Sequence, residues 1–249
     1  MKIIRTVFLS VILCLAMVLP VSVSANAGST FYLVPHQDDE LLTFGVSILR
    51  HLEVGHDVHL VLMTDGQSSA AIKSVNKKLK KNLTKKEFSA ARTKEFKASA
   101  KALGVPEKNL HFYNYVDGKL KVGDVKKMVK EIQKKYLKAR FKTMSYYDAH
   151  ADHANAGKAL QEMYNNGEVK DVRFYLKSSQ FKSKYKMITY DKYNKAFKPK
   201  LVAGVKSYNT WNPSKGYYAI GYTSVPGSMK YLLSTPESKY HKPNYKLKQ

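Results

Sequence analysis

Histidine and acidic side chains gather twice in this 249-residue chain, at His36-Gln37-Asp38-Asp39-Glu40 and at Asp148-Ala149-His150-Ala151-Asp152-His153. These residue types bind divalent cations and move protons. His36 and Asp39 stand three apart across a turn, a spacing that lets both reach one ion. His153 shares a helical face with Gly157, Leu160 and Tyr164, the face that packs, so its ring is expected to point inward. Two imidazoles and one carboxylate leave a fourth position open to water, the donor set of a catalytic zinc site rather than a closed structural one. Each cluster alone has a plainer reading. Asp38, Asp39 and Glu40 at a helix start also serve as cap and dipole compensation, and His150 and His153 also fit ordinary loop and helix positions. Two such clusters at strand ends in one chain favour a site. The other histidines are read as non-ligands: His56 and His59 would face opposite ways in a strand, and His51, His111 and His241 have no acidic or histidine cluster around them in sequence.

The elements that must position these groups alternate along the chain. An apolar strand from Phe31 ends at Pro35. A helix is expected over 38–52, with Leu41, Leu42, Val46, Leu49 and Leu52 at helical spacing. A second strand, His59 to Met63, runs into Thr64-Asp65-Gly66, and a lysine-rich polar loop is expected over 68–87. Then come a helix to Leu103, a strand from Asn109 to Tyr115 with a turn at Asp117-Gly118, and an amphipathic helix over 122–136. A strand from Phe141 to Tyr146, the helix carrying His153, and a strand from Val172 to Leu176 follow. This alternation implies an α/β fold, a mostly parallel sheet with helices on both faces. Sites in such sheets form at the carboxyl ends of strands, where both clusters lie. Beyond Lys177 short tyrosine-rich strands are expected, with turns at Asn212-Pro213 and Pro226-Gly227. No repeat or linker divides the chain, so residues 28–249 read as a single domain. In the helix ending at Leu103, Arg92 falls on the apolar side with Glu95 one turn on. An inward arginine needs a partner: either Glu95 in an i,i+3 pair or a cleft.

The N-terminus reads differently. Lys2 and Arg5 precede an apolar run from Val7 to Val21, then small residues, the pattern of a secretory signal peptide over 1–25 with cleavage after Ala25 or Ala27. The run is short for a membrane span, so no permanent span is expected after cleavage. Cys14, the one cysteine, lies inside this segment, which excludes a disulfide scaffold. A secreted, extracellular protein, held at the cell wall or free, is the expectation. Without Lys2 and Arg5 the formal charge of +24 becomes +22, an excess that favours polyanions. Export makes an anionic cell-wall polymer the readier partner, and no nucleic-acid motif appears.

His36-Gln37-Asp38-Asp39-Glu40 followed by His150-Ala151-Asp152-His153 resembles the LmbE/PIG-L family of metal-dependent N-acetylglucosaminyl deacetylases. Supporting matches are Thr64-Asp65-Gly66, Arg92 with Glu95, Asp117-Gly118 and the run from Asp152 to Leu160. The resemblance covers roughly 31–176 and implies a Rossmann-like fold with Zn2+, or Fe2+, held by His36, Asp39 and His153. It also implies Asp38 as general base, a protonated His150 beside the oxyanion, and Asp152 orienting a histidine. Arg92, Glu95, Asp117 and Glu40 would bind substrate or support the ligands. Gln37 and Ala151 stand where the family has proline, and neither change removes a ligand.

The expected activity is therefore removal of an acetyl group from an N-acetylated amino sugar of N-acetylglucosamine type, in a wall or surface glycan. Competing readings are a metal hydrolase of another amide or small-molecule conjugate, and a basic wall-binding protein with a non-catalytic metal site. A two-metal nuclease needs more carboxylates than these clusters supply.

Overall fold

Apolar runs set the strands. β1 (Thr30–Val34) and β2 (Val58–Thr64) are buried along their whole length, as strands covered on both faces must be. β3 (Leu110–Tyr115), β4 (Arg140–Met144) and β5 (Val172–Leu176) extend the parallel sheet on either side of them. The structure, a computed structural model, describes residues 28–178 and 188–247. The expected leader lies outside the described residues. Among them no helix is long and apolar enough to cross a membrane.

The helices are α1 (Asp39–Leu42), α2 (Gly45–Glu53), α3 (Ala71–Leu79), α4 (Lys85–Leu103), α5 (Val122–Lys135), α6 (Ala151–Asn165), α7 (Lys198–Asn209), α8 (Ile220–Ser224) and α9 (Pro226–Ser234). Late strands are β6 (Thr189–Asp191), the hairpin β7 (Trp211–Asn212) and β8 (Tyr217–Tyr218), and β9 (Ser238–His241). Among the described residues the main sheet runs β3-β2-β1-β4-β5-β9-β6, with β9 antiparallel to both neighbours. The chain leaves β1 toward β2 on one side and returns to β4 on the other. That reversal opens a crevice beyond the carboxyl ends of β1 and β4, where both clusters sit.

Alternation along the strands builds two cores. Tyr32, Val34, Leu60 and Leu62 face the side packed by α2, α4, α7 and α9, while Phe31, Leu33, Val61 and Met63 face α5 and α6. Burial of each such side chain contributes about 1.5–3 kcal/mol.

Three expected elements differ from those observed. The helix over 38–52 is two helices: Phe44 N–H reaches back five residues to Asp39 O, and Ile48 N–H restarts the ladder on Phe44 O, letting the Phe44 ring enter the core. Within the expected polar loop, α3 forms because Ala71, Ile72, Val75 and Leu79 lie on one face and pack with Leu83, Phe88, Ala91 and Ile220. The region after Lys177 supplies helices as well as short strands. Pro226, expected in a turn, occupies the first turn of α9, where its missing N–H costs nothing. The extra C-terminal strands themselves are present as β6 to β9.

Candidate metal centre and active site

Two loops at the crevice bring three donor atoms together. His36 Nδ1 lies 2.9 Å from His153 Nε2, and Asp39 Oδ2 lies 3.5 Å from the first and 3.1 Å from the second. Donor distances of about 2.0–2.2 Å around a tetrahedral ion place donors roughly 3.3–3.6 Å apart, close to this spacing. The opposite ring nitrogens are engaged by carboxylates. His36 Nε2 is 3.1 Å from Asp117 Oδ1 and 3.0 Å from Asp152 Oδ2, and His153 Nδ1 is 3.3 Å from Asp148 Oδ2. A proton on His36 Nε2, facing two carboxylates, leaves its Nδ1 as a bare lone pair, and the Asp148 charge favours a proton on His153 Nδ1 although the two atoms form no hydrogen bond. Lone pairs so arranged repel unless a cation joins them.

Electrostatics point the same way. Asp38, Asp39, Asp117, Asp148 and Asp152 are all buried, and so many carboxylates demand positive charge. Burial by itself would lower the pKa of His36, but hydrogen bonds to the Asp117, Asp152 and Asp39 carboxylates outweigh it and hold the ring well above its ordinary value. His153 is raised by Asp39 and Asp148 against the same burial effect. The residues present fit a divalent cation.

Asp38 sits beside this centre in a left-handed conformation, φ 94. Its N–H donates to Tyr208 Oη at 2.8 Å and to Glu40 Oε2 at 3.1 Å, and Tyr208 Oη donates to Glu40 Oε1 at 2.8 Å. Burial pushes the Asp38 carboxyl up to about 7, against the pull of Arg92. Arg92 Nη2 is 3.5 Å from Asp38 Oδ2, and its guanidinium donates to Gly66 O and Gln37 O at 2.8 Å each. Gly66 adopts φ +67, and a Cβ there would lie 1.9 Å from Gln37 Oε1 and 2.8 Å from Arg92 Nη1. Any side chain there would sit in a left-handed conformation and push the ends of Gln37 and Arg92 aside.

His150 caps α6 from the exposed rim of the cleft. Its Nδ1 accepts the Asp152 N–H at 3.3 Å, so the neutral ring carries its proton on Nε2. Burial and the neighbouring His36 and His153 lower its pKa. With the proton on Nε2, His150 presents an N–H donor at the rim of the cleft.

The cleft has a volume of about 350 Å³, and His36, Asp38, Asp39, Arg92, Asp117, His150 and His153 line it. Asp152 lies behind His36, accepting N–H groups from Gly118 and Leu120. Glu40 and Glu95 are buried and do not line it. Glu95 accepts the Ile220 and Gly221 N–H groups at 2.8 and 3.0 Å, so its principal partner is the start of α8, and Arg92 takes the cleft placement instead of the i,i+3 pair. Of the histidines read as non-ligands, none joins a metal-sized cluster among the described residues. His111 does have a histidine neighbour, however: His59 Nδ1 lies 3.1 Å from its Nε2, a pairing of adjacent strands that sequence spacing conceals.

Sequence reasoning placed Asp148 in the second cluster without a role and missed Tyr208. Asp148 had a legible signal, since a ligating histidine nearly always gives its other nitrogen to a carboxylate. Tyr208 had none: it is one of many tyrosines in a region without motifs.

Residues 31–164 match the family model PIG-L, GlcNAc-PI de-N-acetylase. The chain belongs to the PIG-L family. No curated protein matches it significantly. Among solved structures, the zinc-inhibited form of a teicoplanin deacetylase is similar with TM-score 0.64 at 16% identity, covering 83% of this chain and 89% of that one. N,N'-diacetylchitobiose deacetylase from Pyrococcus horikoshii gives TM-score 0.58 at 20% identity, over 87% and 84%. A 4-carboxy-2-hydroxymuconate hydratase from Pseudomonas putida gives TM-score 0.58 at 14% identity, over 89% and 99%. The shared fold of this PIG-L chain therefore carries more than one reaction, and the side chains in the cleft must decide.

Proposed function

We propose that this PIG-L chain is an exported, metal-dependent de-N-acetylase that hydrolyses the acetamido group of an N-acetylglucosamine-type sugar in a wall or surface glycan. The convergence of His36 Nδ1, Asp39 Oδ2 and His153 Nε2 beside the Asp38 carboxyl carries the reading. Those three residues would hold Zn2+ or Fe2+, which when bound supplies Lewis acidity, acidifying water and polarising an amide carbonyl.

The chain's own groups divide the remaining work. Asp38, a carboxyl poised near neutrality, accepts the proton of the attacking water. His150 donates its Nε2–H to the oxyanion as the carbonyl becomes tetrahedral. Asp38 then delivers its proton to the departing nitrogen as the C–N bond breaks, leaving acetate and a free amine. Arg92, anchored on two carbonyls, holds Asp38 in place and balances its charge. Asp117 and Asp152 fix the His36 ring, and Asp148 fixes His153. Ser68, Ser69, Ser178 and Ser228 around the rim offer hydroxyls to a sugar.

Export is supported by the Lys2 to Ala27 leader pattern, and a wall polymer by the lysine excess. Purified protein is expected to release acetate from chitooligosaccharides, and chelation or Asp38→Asn is expected to abolish it. Full activity after either treatment would overturn the mechanism. Retention on wall material without any acetate release would favour the basic wall-binding reading.

A further inference from the structure

The cleft is near the small end of the range for ligand pockets, about 300–1,000 Å³. A polymer whose one sugar enters it must leave over the rim. Beside that rim lies a groove of about 680 Å³ lined by Lys85, Lys86, Lys94 and Lys97 of α4, with Gln67 and Asn114. One loop separates the two spaces: Ser68 and Ser69 line the cleft, and Asp65 and Gln67 line the groove.

Charge in this groove is largely uncompensated. Lys97 pairs with Glu107, but Lys85 and Lys86 make no ion pair among the described residues. Lys94 lines the groove with its stem, while its Nζ donates to the Lys215 carbonyl and lies over the Tyr217 ring. The one acid there, Asp65, turns Oδ1 to the N–H groups of Gln67 and Asp117. Lys94 and Lys97 stand three apart on the helix, and like charges so placed destabilise it. An external anion removes that cost.

The backbone adds an independent sign. Asn114 is exposed at φ 54, left-handed although not glycine, where the pairing of β2 with β3 slips between Leu62 and Thr64. Such irregularities re-aim a side chain, and strained residues concentrate at binding sites. Here the re-aimed group is an amide that both donates and accepts, and it lines the lysine groove. Separate ammonium groups without an arginine fork act as point charges, a recurring way of binding phosphate.

We propose that this groove is a second subsite, which holds a phosphodiester segment of a polymeric glycan while the neighbouring amino sugar occupies the cleft. The polymer's sugar rests on the deacetylase reading above; the groove's affinity for phosphodiester does not.

The test uses fluorescein-labelled poly(glycerol phosphate), which has no acetyl group, and anisotropy. Wild type is compared with Lys85→Gln/Lys86→Gln/Lys94→Gln/Lys97→Gln and with a control that removes the same charge from α5, Lys126→Gln/Lys127→Gln/Lys130→Gln/Lys134→Gln. The groove variant is expected to bind about tenfold or more weakly and the control to change less than about threefold. Polyglucuronate of equal charge is expected to compete about tenfold less well. Equal losses in both variants, no binding by wild type, or polyglucuronate competing as well as the phosphodiester would each overturn the proposal. Acetate release from neutral N-acetylchitotetraose is measured alongside and is expected to match in all three proteins. A selective loss in the groove variant would assign those lysines to the cleft and overturn the subsite. Absence of release from all three would sink the deacetylase reading while leaving the anisotropy result to stand or fall alone.

Discussion

Asp38 and Tyr208 lie 170 residues apart and meet through one hydrogen bond, the Asp38 N–H donating to the tyrosine hydroxyl at 2.8 Å. The hydroxyl in turn donates to Glu40, whose other oxygen accepts from the same N–H. These contacts offset a left-handed backbone that costs a non-glycine residue on the order of 1–3 kcal/mol. The end of α7 thereby holds the proposed base, and Glu95 secures the start of α8. Tyr208→Phe keeps the ring and removes the clamp. Stability is expected to fall by about 1–2 kcal/mol. More tellingly, kcat is expected to drop roughly 10- to 100-fold with KM within about threefold and metal content unchanged. Wild-type kcat in this variant would show that Glu40 alone suffices to hold Asp38.

Asp148 is the partner of the His153 outer nitrogen, and it also accepts the His150 N–H at 2.8 Å and lies 3.2 Å from Lys177 Nζ. Asp148→Asn preserves volume but removes the charge that keeps the proton on Nδ1. Metal affinity is expected to weaken about 10- to 100-fold, read by competition against a chromophoric chelator. Unchanged affinity would mean that the position of α6 orients His153 without help.

Much of this architecture is legible in the sequence because it rests on local patterns. Apolar runs at β1 and β2 and helical spacing in α4, α5 and α6 each report one element, and the paired His/Asp clusters report both halves of the site. What was illegible depends on contacts distant in sequence. Polar residues around Val75 and lysines on both sides of Leu79 hide the apolar stripe of α3, whose partner Ile220 lies far along the chain. Glu95 looks like an Arg92 partner because their spacing permits it, and only α8 reveals two free N–H groups that bind it better. Tyr208 reaches Asp38 through tertiary packing alone.

Gly157 shows how closely α6 must approach β4 to deliver His153. A Cβ at Gly157 would lie 2.4 Å from Tyr146 N and 2.8 Å from Met144 O, backbone atoms that cannot step aside. It lies one turn beyond His153 on the same face. Gly157→Ala is expected to push α6 outward, destabilise the fold by about 1–3 kcal/mol or more, and weaken metal binding, whereas Gly123→Ala, with open space around it, is expected to do neither. Urea unfolding and metal titration of the two variants measure this, and equal behaviour would show that the β4–α6 contact is soft.

His51 provides a pH dependence away from the site. It is buried on α2 beside Tyr32 and stacked on His56, and its pKa is pulled down to about 3 by burial first, then by Lys142, Arg173 and His56, with Asp171 opposing. The unfolded chain protonates this ring near pH 6.5, while the folded chain holds it neutral until about 3. Between those values the unfolded state binds more protons, so stability present above pH 6.5 is lost as pH falls. The loss from this residue is expected to reach about 2 kcal/mol by pH 5, at about 1.36 kcal/mol per pKa unit. Glu40, raised by burial to about 8, acts in the opposite sense between about pH 4.5 and 8, so the wild-type curve alone mixes both. Subtracting the unfolding free energies of His51→Gln from those of wild type across pH 5 to 7.5 isolates the histidine. A difference that grows on acidification by the expected amount supports a neutral buried ring, and parallel curves would mean that His51 takes up its proton without leaving the fold.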